Sequence, residues 1–357
     1  MNETNTLPTK LSLLWCLIHF GLEVICFQYY TFCFGEPLLA AVMALIYDVI
    51  AFFPQFLIGG LSEKHPHLPI GKIGAGLVLL GGSAAFAESA ALHIAGLVVL
   101  SAGNAFVHVG GAEATLFTCR DRIAPSAVFI AGGAAGVVTG KLLGARCGTV
   151  TIGMLAMLCA FALILFADKL RRKTKRIRPT LHLADERRNL LAVILLAFFV
   201  VTVRGLLAYG IPTAWKQTDL HAVLLFGMMA LGKAAGGICS DCFGAKKTAL
   251  ISSAASVPLL LLGNQNMIVS LTGIALFSMT TASTLGIMVS AAPDTPLVAY
   301  GMTTVGLLLG TLPMMFPITA DIISQNWVLT LLSILCFLSL WYIMAPDKPN
   351  CMKRKIG

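Results

Sequence analysis

Charge is scarce in this chain. Asp, Glu, Lys and Arg make up 11% of its 357 residues, against roughly a quarter in a soluble domain, so a soluble fold of this length is excluded. Long polar stretches are missing too, which leaves no room for a sizeable domain outside a membrane. No Walker motif exists to supply energy from ATP: Gly140-Lys141 runs on into Leu142, with no glycine at the required earlier spacing. The chain has no H-E-x-x-H, no cluster of histidine boxes and no G-x-S-x-G, which argues against an intramembrane enzyme. His19, His93 and His108 fall on different helices and are expected at different depths. The ten cysteines lie mostly inside apolar runs, as Cys16, Cys26, Cys159 and Cys336 do, and form no disulfide framework. Cys239 and Cys242 make one C-x-x-C, but no second pair completes a zinc site, so neither metal nor cofactor is expected. A signal-peptide cleavage pattern is absent behind the first apolar run, which is too long for an h-region and reads as a retained helix.

What fills the chain is apolar. Hydrophobic residues account for 57% of it and the mean hydropathy is +0.87. Twelve apolar runs, at 11–34, 37–61, 70–87, 90–118, 124–143, 148–167, 189–212, 221–239, 247–263, 266–290, 296–318 and 326–345, are each long enough to cross a bilayer at about 20 residues per crossing. The expected fold is all-α and integral to the membrane, with the lipid bilayer as its surroundings. Net charge is +9, but the bases cluster at helix ends and in one linker, which is a topology signal rather than a nucleic-acid footprint. With both ends of the chain in the cytoplasm, twenty Lys and Arg fall on the inner side and three, Lys141, Arg146 and Lys216, on the outer side. That asymmetry sets the orientation expected of a multi-pass protein of the plasma (inner) membrane.

The polar turn Gly237-Ile-Cys-Ser-Asp-Cys-Phe-Gly-Ala-Lys-Lys247 lies between two apolar runs. It has an echo half a chain earlier at Gly59-Gly-Leu-Ser-Glu-Lys64. A turn of glycine, carboxylate and base recurring at half-length marks a duplicated membrane unit. The division expected is a six-helix bundle over 1–168, a basic cytoplasmic linker over 169–188 and a second six-helix bundle over 189–357. The linker, with Lys169-Leu-Arg-Arg-Lys-Thr-Lys-Arg-Ile-Arg-Pro179 at its heart, is either a solvated topological anchor or a binder of anionic lipid, and the tail Lys348 to Lys355 reads the same way. Gly132, Gly136, Gly140 and Gly144 recur every four residues, as Gly232 with Gly236 and Gly306 with Gly310 do, giving smooth faces for close helix approach. Pro54, Pro313 and Pro317 interrupt the second and eleventh runs.

An ionisable group at mid-bilayer costs at least about 2.5–3.5 kcal/mol, so each is a candidate for function. Glu23 lies mid-way along the first run with His19 one turn earlier on the same face, and Asp48 lies mid-way along the second. Asn104 and His108 form an i,i+4 pair on the fourth, with Glu113 following. Arg204 and Lys233 are central in the seventh and eighth. Acids gather in the first half and bases in the second, which suits a cleft with walls of opposite charge. The plainer readings stay open: a satisfied interior histidine at His19, structural partners or caps at Asp48 and Lys233, an ion pair of Glu113 with Arg120 or Arg122, and Arg204 as counter-ion to Glu23.

With twelve runs, two halves and a basic linker, the chain resembles the major facilitator superfamily. That family's signature after the second span of each half is Gly, three residues, Asp, two residues, Gly and then a basic pair. Gly237, Asp241, Gly244, Lys246 and Lys247 fit it; of the first copy Gly59, Glu63 and Lys64 fit, while Pro66 replaces glycine and the last bases are missing. Gly103-Asn-Ala-Phe-Val-His108 and Gly132 to Gly140 also look like the drug-efflux branch that includes fosmidomycin-resistance exporters, with Val109 and Lys141 where that branch has proline. The resemblance implies two pseudo-symmetric six-helix bundles, a gate at the two turns and secondary active transport of a small molecule by alternating access, as a monomer. Proton-coupled efflux is the leading expectation, with Glu23 or Asp48 holding the proton; uptake symport and a non-transporting sensor are the alternatives.

Overall fold

The computed structural model describes residues 3–171 and 176–347. The linker bases Arg172, Lys173 and Lys175, and the tail bases Lys348, Lys353, Arg354 and Lys355, lie outside the described residues. Among the described residues eleven helices are long and apolar enough to cross a membrane: span one (Leu7–Cys33), two (Pro37–Lys64), four (Ala90–Leu116), five (Ala124–Arg146), six (Thr151–Arg171), seven (Leu190–Gly210), eight (Asp219–Phe243), nine (Ala245–Leu262), ten (Met267–Ala291), eleven (Pro296–Met315) and twelve (Asn326–Ile343). The shorter apolar helix Ile70–Phe86 is span three and ends in a 3-10 turn. All twelve expected runs are therefore helices, with ends that agree to within a few residues.

Local chemistry sets the helix limits. Pro37, Pro125 and Pro296 stand in the first turn of their helices, where the missing N–H has no intrahelical role. Glu36 accepts the N–H groups of Leu38 and Leu39, and Asn189, Thr218 and Asn266 each accept one N–H of the first turn they precede. Gly244, at φ +105°, separates spans eight and nine in a conformation that favours glycine. Span two breaks at Phe53 and Pro54, as its proline demands. Span eleven tightens to a 3-10 turn over Leu312–Met315, and Pro317 opens a separate short helix (Pro317–Ile323) instead of lying inside the span.

The packing repeats by six. Span one packs on spans four, five and six, span three on four and six, and span two on four; span seven likewise packs on ten, eleven and twelve, span nine on ten and twelve, and span eight on ten. The two bundles meet where span five packs on eight and span two on eleven. Glycine permits the tightest of these approaches. A Cβ on Gly136 or Gly140 would stand 2.5 Å from the carbonyl oxygen of Phe20 or Val24, and one on Gly144 2.7 Å from that of Gln28. The stripe of span five thus lies in register with every fourth carbonyl of span one.

The linker is not a free solvated tether. Ile177 N–H donates to the Phe117 carbonyl (2.9 Å) and Thr180 N–H to that of Arg120 (2.6 Å), both in the first half. Farther on, Leu183 N–H donates to Ser290 Oγ (3.0 Å) and Asp185 N–H to the Ile343 carbonyl (2.8 Å), in the second half. Arg178 pairs with Asp294 and Arg176 lies over the Phe117 ring. The Arg187 guanidinium and backbone N–H hold the Asp185 carboxyl down at about 2. From Arg176 onward the linker therefore runs as a strap across one end of both bundles, the linker face.

Gly140→Leu should lower the thermal unfolding temperature of the purified protein, since overpacking costs about 1–3 kcal/mol or more. Gly76→Ala, where an added Cβ meets nothing within 4 Å, should leave it unchanged or raise it.

Candidate functional site

Two i,i+4 pairs face each other inside the first bundle. His19 and Glu23 share one face of span one, Asn104 and His108 share one face of span four, and all four side chains are buried. Gly133 on span five leaves the space that the His19 ring occupies; a Cβ there would overlap it. The rings of His19 and His108 lie edge to face with centroids 4.4 Å apart. Their expected separation in depth is thus corrected: helical register brings the two to one level, and only His93 stands elsewhere.

The tautomers follow from the partners. His19 Nδ1 lies 3.1 Å from the Phe129 carbonyl oxygen and His108 Nδ1 lies 3.0 Å from that of Asn104. A carbonyl only accepts, so each Nδ1 carries hydrogen and each neutral ring aims an Nε2 lone pair inward. Both lone pairs point toward Glu23 Oε1, at 3.5 Å from His19 and 3.6 Å from His108. Asn104 Nδ2 donates to the same Oε1 at 3.0 Å, and the Tyr47 hydroxyl donates to Oε2 at 3.4 Å. Asn104 Oδ1 is buried with no hydrogen-bond partner among the described residues. His19, Glu23 and His108 are also the group of ligating side chains whose donor atoms all lie within 4.8 Å of one another.

The other intramembrane charges are placed differently. Asp48, next to Tyr47 on span two, is half-buried and makes no hydrogen bond or ion pair with any described residue, and Lys233 on span eight is in the same condition. Neither is a cap or an ion-paired structural partner. Lys141 stands within span five rather than in an outer loop, with Nζ 5.3 Å from the centre of the Phe27 ring. Arg204 is not the counter-ion of Glu23. Its guanidinium donates to the hydroxyls of Thr281 and Thr284 on span ten, and its Nε is buried without a partner among the described residues. Among the described residues, opposite charges therefore do not pair across the middle of the molecule.

They do so at both ends: Arg146 at the end of span five pairs with Asp219 at the start of span eight, and the remaining contacts lie at the linker face. Asp241 accepts the N–H groups of Ile123 and Ala124, each at 3.0 Å, and lies 3.7 Å from Arg122 Nε. These are the free N–H groups at the start of span five, where helix polarity favours an anion. Glu63 does the same for span eleven, accepting Leu297 N–H at 2.6 Å. In each case a glycine one turn earlier admits the other half: Gly237 lies against Ala127, and a Cβ on Gly59 would stand 2.5 Å from the Leu297 carbonyl oxygen. The first-half turn keeps this contact despite Pro66, because it needs only Gly59 and Glu63. Lys64 is exposed at its end.

Gly244 and the basic pair have another task. Lys246 and Lys247 donate backbone N–H to Asp347 at 2.9 and 3.0 Å, and Lys246 Nζ donates to the Met344 carbonyl at 2.9 Å, tying span nine to span twelve. In the first half Lys72 and Asp168, 2.7 Å apart, tie span three to span six. Glu113 takes Arg171 (3.2 Å) and Arg176 (3.6 Å), not Arg120 or Arg122, because the strap brings Arg176 back over span four. Sequence reasoning passed over Tyr47, Asp168 and Asp347. The last two, Asp168 in the last turn of span six and Asp347 just past span twelve, stand about half a chain apart, a repeat that could have found them.

No family model matches the chain, and no curated protein matches it in sequence. Solved structures do match. FucP, a major facilitator superfamily transporter crystallised in the outward conformation, aligns with a TM-score of 0.66 at 14% identity, over 94% of this chain and 97% of that one. The E. coli fucose:proton symporter FucP in a second crystal structure gives 0.66 at 15% identity over the same shares. The human organic anion transporter MFSD10 (TETRAN) gives 0.66 at 15% identity, over 95% of this chain and 100% of that one. At such identity the likeness speaks for architecture, and the chain has the major facilitator fold: all-α, with twelve spans in two pseudo-symmetric bundles.

Asp241→Ala should loosen the linker face. Cys119, a free cysteine buried beside this latch, should then react with a membrane-impermeant maleimide several-fold faster, read by mass spectrometry of its peptide. An unchanged rate would count against the latch.

Proposed function

On the premise of that fold, we propose that the chain is a secondary active transporter that moves a small organic molecule across the plasma (inner) membrane by alternating access, as a proton-coupled exporter. The observation that carries this reading is the pair of latches at one face. Each joins a carboxylate of one half to the start of a helix in the other, and each can open without unfolding either half. The bodies that tilt are residues 1–168 and 189–357, joined by 169–188 and acting as a monomer. On this reading the basic linker face is cytoplasmic, by the positive-inside rule, and the two latches close that side, while Arg146 and Asp219 join spans five and eight at the opposite end.

Asp48 carries the proton. It is the mid-span carboxylate left half-exposed and unpaired among the described residues, whereas Glu23 is buried and engaged on both oxygens. Lys141 and Glu23 stand within electrostatic range of Asp48, as do Tyr30, Tyr47 and Tyr209. Gaining or losing one charge there changes what the cleft can hold. Lys233, equally unpaired across the cleft, is the contact for an anionic or zwitterionic substrate, with Arg204 behind it in the second bundle. The uptake reading rests on the likeness to a fucose:proton symporter, and the likeness to an organic anion transporter suits a basic wall.

The test is transport in oriented proteoliposomes carrying a lumenal pH dye, against a panel of metabolites and drugs. Antiport predicts that a transported compound and protons move in opposite directions. Asp48→Asn should cut that proton movement by at least about tenfold, since the amide cannot take up a proton at that place. Movement in the same direction would identify uptake symport instead, and transport with no pH response would overturn proton coupling.

A further inference from the structure

We propose that His19, Glu23 and His108 form a binding site for a divalent first-row transition ion, zinc foremost, buried between spans one and four. Each Nε2 carries no hydrogen when its Nδ1 donates to a carbonyl, so the gaps of 3.5 and 3.6 Å to Glu23 Oε1 are not direct N–H···O bonds, which span about 2.7–3.2 Å. They suit two ligands of a shared ion. Metal–ligand bonds of about 2.0–2.2 Å in tetrahedral geometry set neighbouring ligand atoms about 3.4 Å apart.

The surroundings suit the same ion. Both Nδ1 atoms are committed to backbone carbonyls, which fixes the tautomer that leaves Nε2 free to ligate and holds each ring in place. That outer arrangement is the usual one behind metal-bound histidine. Three atoms with lone pairs then converge in a buried space, and a single proton could bridge only one pair of them. Asn104 steadies the carboxylate through Nδ2, while its buried Oδ1 is an unused acceptor beside the site. Two imidazoles and one carboxylate are a donor set that suits zinc and cobalt, whereas calcium and magnesium call for oxygen ligands. Three protein ligands leave a fourth position for water or an anionic group.

The ion pins span one to span four at mid-depth, within the first bundle, and its presence does not depend on which solute the protein carries. The purified full-length chain, stripped with a chelator, is titrated with cobalt(II) and then zinc. The expected result is one cobalt per chain with the visible absorption of a four-coordinate nitrogen and oxygen site, bleached by zinc. Zinc should also raise the thermal unfolding temperature. Glu23→Gln should abolish both effects; if it does not fold, His108→Gln serves in its place. Asn104→Ala should weaken binding about tenfold, the low end for loss of an outer partner. Asp48→Asn should bind as the unaltered chain does, which separates this site from the transport reading. No binding, six-coordinate cobalt indifferent to Glu23→Gln, or thiolate charge-transfer bands that vanish in Cys239→Ser would each overturn the assignment.

Discussion

A carboxylate set against the exposed N–H groups at the start of a helix is the interaction on which this architecture turns. Asp241 and Glu63 each make it across the seam between the bundles. Hydrogen bonds to a charged group contribute about 1.5–3 kcal/mol each. That is strong enough to hold one face shut and weak enough to be given up when other contacts replace it. The glycine one turn before each carboxylate is part of the same device, since the bond forms only if the backbones come close. A permanent salt bridge between two buried charges would leave both uncompensated on opening. A helix start does better, because water satisfies its N–H groups as soon as the seam parts.

Inside the bundles the rule is different. Glu23 is buried and engaged on both oxygens, by donors from two neighbouring spans and two imidazoles across a gap. Asp48, one residue beyond the tyrosine that touches Glu23, has no described partner at all. Two acids on neighbouring spans therefore occupy opposite conditions, one locked within a bundle and the other half-buried without a hydrogen-bond partner among the described residues. The same contrast holds among the bases, with Arg204 resting on threonine hydroxyls and Lys233 unpaired.

The helices and their division into two sets were legible because both signals are local: apolar length marks a span, and the Gly-x-x-x-acid turn repeats at half-length. The i,i+4 geometry of His19 with Glu23 and of Asn104 with His108 was legible for the same reason. That these two faces meet was not, since it depends on the crossing of spans one and four and on the space left by Gly133. The partner of Glu113 was misread because the linker looked like solvated charge. Its course is set instead by backbone hydrogen bonds from Ile177, Thr180, Leu183 and Asp185, and backbone groups leave no trace in composition.

That course has a mechanical meaning. Helix six ends at Arg171 and helix seven begins at Leu190, so the chain between them could reach about 60 Å if fully extended, several times the 8–10 Å between packed helix axes. Under the proposed alternating access, covalent continuity alone thus imposes almost no restraint on how far the bodies tilt. Whatever stiffness the strap lends comes from bonds that can be broken and remade, so it acts as a fastener rather than a leash. A substitution that silenced those bonds would alter the ease of opening while leaving its amplitude untouched.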